Sequence, residues 1–412
     1  MRVLWWDGEV VCLGSGRYLT AGEAAAELGV SLPTLYSYVS RGMVRSEAAE
    51  GGKRSRRYRA EDVRGLKERK ERRRNPERVA EGALRWGAPV LESGITLVDG
   101  GRLFYRGRDV EELVSEAGIE GVAALIWTGD AGRAAEVFPG DVEAPSPRVR
   151  ETLRTLEGLA PMELFQALLP VASAEDPVGY DLRPAGVVGT GSRVLRLMAG
   201  VVGGAGTGGT AEALRRGWCP GDPGAVALLD AALVLCADHE LPVSTFAARC
   251  VASSRATPYA VVQAGLAALG GTRHGGQVEL VEAFLDEVAA AGDARKVIAG
   301  RLRRGDGLPG FGHPLYPDGD PRGAALLRIT AEAMPESSAA GLSDAVVEEV
   351  RDLTGERPTL DLALATIARA LGLPAGGAVA LFAVGRTVGW IGHAIEQYAS
   401  DKLIRPRARY VG

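Results

Sequence analysis

Gly310-Phe311-Gly312-His313-Pro314-Leu315-Tyr316 breaks a long stretch of helical sequence with residues that helices avoid. The glycines let the backbone turn sharply, and Pro314 cannot continue a helix. The turn therefore leaves a histidine reachable between two helical blocks. Working outward, a second histidine has the same kind of frame, in Gly270-Gly271-Thr272-Arg273-His274-Gly275-Gly276. His239, in Asp238-His239-Glu240, ends an apolar run, and His393, in Trp390-Ile391-Gly392-His393-Ala394, falls on a helix where packing explains it. These are the chain's four histidines. Around them apolar residues recur at three-to-four spacing, which predicts helices over 110–117, 121–127, 148–160, 163–174, 225–237, 243–253 and 258–268. One strand-like stretch, 95–105, holds the turn residues Asp99-Gly100-Gly101. No sustained alternation marks a second sheet and no fixed-period repeat occurs, so the fold class is mainly α.

The composition agrees. Of 412 residues 46% are hydrophobic and only 6% aromatic, which favours closely packed helices over a sandwich. The length suits two or three domains. The net charge of -4 is uneven: residues 53–78 carry 13 Lys and Arg against 5 Asp and Glu, a local excess of +8 over a remainder of -12. Such a segment suggests a local anionic partner. Cys12, Cys219, Cys236 and Cys250 form no CxxC pair and have no zinc spacing, as expected of reduced cysteines in a cytoplasmic protein. HExxH is absent, so no metal is expected. Asp7 and Glu9 stand where a signal peptide would be basic. Apolar runs such as 225–237 read as too short to span a membrane. Residues 130–147 read as a surface loop. So does the glycine-rich stretch 186–210, whose GxGxxG at Gly204–Gly209 lacks the preceding strand of a dinucleotide site.

Near the start, Thr20-Ala21-Gly22-Glu23 reads as a capping box opening a short helix that Gly29 ends. Ser31 opens a second helix running to about Arg41. The basic turn 51–59 suits a hairpin wing, and a charged helix from Ala60 to about Arg74 leads to Asn75-Pro76. Tyr18-Leu19-Thr20, Leu28-Gly29-Val30-Ser31, Thr34-Leu35-Tyr36 and Arg57-Tyr58-Arg59 resemble the MerR/excisionase-type winged helix-turn-helix. That resemblance implies DNA as a partner, contacted by Thr34, Tyr36, Tyr38, Arg41, Arg54, Arg56 and Arg57. A packing or protein-interaction module is the alternative.

A longer resemblance covers about 320 residues. Glu92-Ser93-Gly94-Ile95, Asp238-His239-Glu240 with Ser244-Thr245, Arg273-His274-Gly275-Gly276, Gly310-Phe311-Gly312-His313 with Asp320-Pro321-Arg322, Pro358-Thr359-Leu360-Asp361, and Arg386-Thr387-Val388-Gly389-Trp390 follow one another as in the citrate synthase family. The ending Ile404-Arg405-Pro406 to Tyr410-Val411-Gly412 follows suit. The resemblance implies large and small helical domains of the citrate synthase type, preceded by the winged helix-turn-helix. Residues 1–75 would be the head and 76–412 the synthase-like domain, with a small subdomain at roughly 275–375.

The implied activity is condensation of acetyl-CoA, or another short acyl-CoA such as propionyl-CoA, with oxaloacetate. No permanently bound cofactor is implied. By resemblance Asp361 is the base, His274 stabilises the enolate and His313 polarises the acceptor carbonyl. Arg322, Arg386 and Arg405, with His239, would hold the two carboxylates, which planar guanidinium groups grip well. Arg405 would come from a second copy, so a homodimer is implied. Read alone, Arg322, Arg386 and Arg405 pass as solvated charges and Asp361 as a helix N-cap. The sequence departs from the family in two places. Pro314 and Pro317 stand where basic residues that hold the CoA nucleotide are common, and Leu362-Ala363-Leu364-Ala365 removes hydroxyls after the base. The competing function is a DNA-binding regulator whose synthase-like domain senses a tricarboxylate or an acyl-CoA.

Overall fold

The computed structural model describes residues 18–48, 56–60, 62–64, 66–67 and 91–411, together with the backbone of the strands Val3–Trp6 and Glu9–Cys12. It forms two compact units, Met1–Glu92 and Ser93–Gly412.

In the first unit, Thr20 and Glu23 make the reciprocal capping box that starts the helix Ala21–Leu28, and Gly29 ends it at φ 59°. The second helix, Leu32–Ser40, follows directly. Strand Arg56–Arg59 pairs antiparallel with Tyr18–Leu19 on one side and Ser46–Ala48 on the other, which is the wing. Ala24, Leu28, Leu35, Val44, Tyr58 and Val63 form its core. Asp62 ties the wing's entry to the following helix by accepting from both the backbone and the guanidinium of Arg45. That guanidinium holds the Asp62 carboxyl down to about 2.

The second unit is helical apart from a small sheet. Its hairpin pairs Thr96–Asp99 with Arg102–Tyr105 around Gly100 and Gly101, as the turn residues predict. The helix Gly377–Ser400 runs through the centre. Around it pack Gly118–Thr128, Pro184–Gly203, Ala225–Cys236, Val243–Ser253 and Pro258–Leu269. A second group gathers on Leu360–Leu371, formed by Gln277–Ala291, Pro321–Ala333 and Ser338–Thr354.

Three expectations change. The glycine-rich stretch is a loop only at Gly204–Gly209, where the GxGxxG falls, because Pro184–Gly203 before it is a 20-residue helix. Glycine costs helix propensity, but here it permits contact: a Cβ at Gly203 would lie 1.6 Å from the Ala213 carbonyl oxygen. Packing that close against Thr210–Trp218 outweighs propensity. Residues 130–147 likewise contain a helical turn, Ala131–Arg133, and a short helix, Ala134–Val137, which bury Phe138 against Trp127. The run at 225–237 is short, as read, in helix Ala225–Cys236, but two other helices are longer. Pro184–Gly203 and Gly377–Ser400 are long and apolar enough to cross a membrane, although 94% of the apolar window of Gly377–Ser400 is buried inside the protein.

Candidate active site

The Gly310–Tyr316 turn is held by backbone bonds to the segment that carries Asp361. Gly312 N–H donates to the Arg357 carbonyl at 3.0 Å, and Thr359 N–H donates to the Gly310 carbonyl at 2.9 Å. Gly310 and Gly312 sit at φ 85° and 74°, where a side chain would be strained. The two segments therefore bring His313 and Asp361 into one neighbourhood although 48 residues separate them in sequence.

Thr359, not Asp361, is the N-cap of helix Leu360–Leu371, which replaces the capping alternative for Asp361. Asp361 lies in the first turn, and its Oδ2 accepts from the Thr359 hydroxyl at 3.2 Å. The hydroxyl missing after the carboxylate is thus supplied from before it. Leu362, Ala363, Leu364 and Ala365 are fully buried core residues. Enclosure by protein pushes the Asp361 carboxyl up to about 6, against the pull of Arg322 and Thr359.

Burial favours the neutral form of His239, His274 and His313. It pushes His274 down to about 3, with Arg386 adding to the effect, and His313 to about 4, with Arg322 adding to it. His239 falls well below its usual range through burial and then the fields of Arg322, Arg386, His313 and His274, so all five groups share one space. The Leu315 N–H donates to His313 Nδ1 at 3.2 Å, which leaves the ring proton on Nε2. His274 Nε2 bonds Ser244 Oγ at 2.7 Å, and Trp390 Nε1–H points at the same oxygen from 3.4 Å.

Arg322 and Arg386 are not solvated charges. They are 5% and 1% exposed. Arg322 makes a two-pronged ion pair with Asp320. Arg386 donates to the Cys236 carbonyl at 2.7 Å and stacks over Phe382. Arg405 is different. It is exposed, in a segment without regular structure that follows Asp401, and this chain does not bring it to the cluster.

Beneath His239 lies a buried polar layer that sequence reading missed. Tyr105 hydroxyl donates to the Asp238 carbonyl and accepts from the Asp238 N–H, both at 3.1 Å, which clamps the backbone just before His239. Burial alone would raise the Asp238 carboxyl, but His393, Arg386 and Thr96 hold it below its ordinary range. His393 is thus more than packing: its Nε2 lies 3.3 Å from Asp238. Asp320 could have been found as an acidic cap before Pro321. Asp238 and Tyr105 gave no such signal. Among the described residues, no group of three or more His, Cys, Asp or Glu side chains is arranged to hold a metal ion.

Of the head residues singled out for DNA, Tyr36, Arg41 and Arg56 are exposed and Thr34 is half-buried, bonded to Ser31. Tyr38 packs against the head's core, and Arg57 stacks over Tyr18. Arg54 lies outside the described residues.

Comparison with known proteins agrees with both parts. Residues 19–73 match the MerR HTH family regulatory proteins. Residues 83–407 match the family described as citrate synthase, C-terminal domain. A citrate synthase of Haloferax volcanii is 32% identical, over 79% of this chain and 94% of its own. A 2-methylcitrate synthase of Mycobacterium tuberculosis is 28% identical, over 75% of this chain and 84% of its own. The crystal structure of citrate synthase from Thermotoga maritima superposes with a TM-score of 0.66 at 26% identity, covering 79% of this chain and 94% of that one. With a match over most of its length and the same helical architecture, the chain belongs to the citrate synthase family.

Proposed function

We propose that this protein condenses a short acyl-CoA with oxaloacetate, giving citrate from acetyl-CoA or 2-methylcitrate from propionyl-CoA, and free CoA. The observation that carries this is the convergence of one carboxylate near neutrality with neutral histidines and two buried guanidinium groups. Removing a proton beside a thioester needs a base and simultaneous stabilisation of the enolate. In this reading Asp361 takes the α-proton. Ser244 Oγ accepts from the Trp390 N–H and donates its own O–H to His274 Nε2, so the neutral ring keeps its proton on Nδ1 and turns it to the thioester oxygen. The enolate carbon then attacks the ketone of oxaloacetate. His313 Nε2–H polarises that ketone and donates to the new alkoxide. Arg322 and Arg386 hold the carboxylates, and Arg405 of a second copy completes the grip in a homodimer. Water then cleaves the thioester and releases CoA, after residues 275–375 have closed over the site as a small subdomain. The free thiols of Cys219, Cys236 and Cys250 suit a reducing cytoplasm. The test is thiol release, which should require both an acyl-CoA and oxaloacetate. No release with any short acyl donor would overturn the reading.

The match to MerR regulators favours a second, compatible role, in which the head binds DNA and the synthase domain senses a tricarboxylate or acyl-CoA. Tyr36, Arg41 and Arg56 are exposed and free to contact DNA. If about six phosphates are contacted, affinity for duplex DNA should fall roughly 10³-fold between 50 and 200 mM salt. Retention that survives deletion of residues 1–75 would count against the head as the binding element.

A further inference from the structure

The helix that carries Asp361 starts without the usual cap. Its N-cap is Thr359, a residue type whose hydroxyl ordinarily accepts from a backbone N–H within the first turn. No such bond forms here. Another element fills the role: Asp320, itself the cap of helix Pro321–Ala333, accepts from the Leu360 N–H at 3.2 Å. The Thr359 hydroxyl is thereby left to donate, and it donates to Asp361 Oδ2.

Thr359 is also firmly held. It is 5% exposed, and its N–H bonds the Gly310 carbonyl at 2.9 Å. Its own carbonyl lies against helix Pro321–Ala333, where a Cβ at Gly323 would meet it at 2.6 Å. The charged groups facing the Asp361 carboxyl are Arg322 and Asp320, and the Cys236 thiol faces it from helix Ala225–Cys236. His274, His313 and Arg386 complete the cluster. Arg322 is committed to Asp320 by its two-pronged pair, so it biases the charge of Asp361 without orienting it. Among the described residues, Thr359 alone donates a side-chain hydrogen bond to this carboxyl, and Oδ1 is left open.

We propose that Thr359 is the positioning residue of the base: its O–H pins Oδ2 of Asp361 and so presents Oδ1 to take the proton from the substrate. This rests on the condensation reading, in which Asp361 is that base. The bond favours the ionised carboxylate, so its loss moves protonation of Asp361 to higher pH. At 3.2 Å it is long for an O–H···O bond, which sets the effect near the low end for bonds to charged groups.

The pH profile of CoA release by the full chain tests this. Thr359→Val keeps the branched shape and removes the hydroxyl. The acid limb, at about 6 in the wild type, should rise by about one pH unit, and kcat on the plateau should fall about 10-fold. KM for oxaloacetate should stay near wild type. Thr359→Ser keeps the hydroxyl and should restore both limb and kcat. At about pH 4, where Asp361 is protonated, the unfolding midpoint of Thr359→Val should match wild type, because Asp320 carries the cap. A lowered midpoint there with an unmoved limb would make Thr359 a plain cap and overturn the proposal. So would an unmoved limb in a stable Thr359→Val, or a Ser variant no better than Val. Each of these leaves condensation intact. A wild type that releases no CoA would remove condensation and the positioning role together.

Discussion

Replacing Asp361 with Asn should slow CoA release by about 10²- to 10⁴-fold, the usual loss when a positioned base is removed. Oxaloacetate affinity should change little, because the amide keeps the shape of the carboxyl. The same substitution should stabilise the protein. The Asp361 carboxyl is raised to about 6 in the fold against 3.8 as a model group. Below the unfolded value both states hold the proton and the residue is neutral to stability. As pH rises to about 6 the unfolded chain ionises first, so the fold loses stability, and above 6 the full penalty remains. Asn removes it. A gain of about 1–2 kcal/mol at pH 8, allowing for partial solvation, should shrink towards zero near pH 4. Wild-type activity should fall as pH drops through about 6, since only the ionised form accepts a proton. Urea titrations at the two pH values and a pH-rate profile check these outcomes. Asn with wild-type activity would remove Asp361 from the chemistry.

Replacing Arg322 with Met should cost about 3–5 kcal/mol, as breaking one side of a buried ion pair does. Asp320 is 1% exposed, and its oxygens take the Arg322 guanidinium twice as well as the N–H groups of Arg322 and Leu360. Without Arg322 a carboxylate stays enclosed with backbone donors alone. Adding Asp320→Asn should return part of the loss, because the stranded charge is then gone. Denaturation midpoints of the single and double variants decide this. A single variant as stable as wild type would show that the pair does not bear on folding. The pair also fastens the start of helix Pro321–Ala333 to that of Leu360–Leu371, so the loss should extend to the placement of Asp361.

Helix spacing was legible because it is local. The hairpin at Asp99-Gly100-Gly101 and the capping box at Thr20 followed from residue chemistry within a few positions, and both formed. The helix Pro184–Gly203 was not legible, because its glycines answer to Ala213 and other distant surfaces rather than to local propensity. The candidate site divides in the same way. His274 and His313 stood out through their glycine frames. Arg322 and Arg386 looked like surface charges until burial and partners were known, and only motif order singled them out. Asp238 and Tyr105 carry no local signal, since their contact joins positions 133 residues apart.

The helix Gly377–Ser400 places Arg386, Trp390, His393 and Gln397 on one rod. Arg386 and Trp390 reach the candidate site, while His393 and Gln397 join the buried polar layer with Asp238 and Arg249. Side chains on such a rod cannot be re-aimed one at a time, because any shift along its axis moves candidate site and core together. Evolutionary change of the candidate site is therefore channelled away from this helix, towards the loops at Gly270–Gly276 and Gly310–Asp320. There a new side chain can reshape the candidate site without disturbing the keel of the fold.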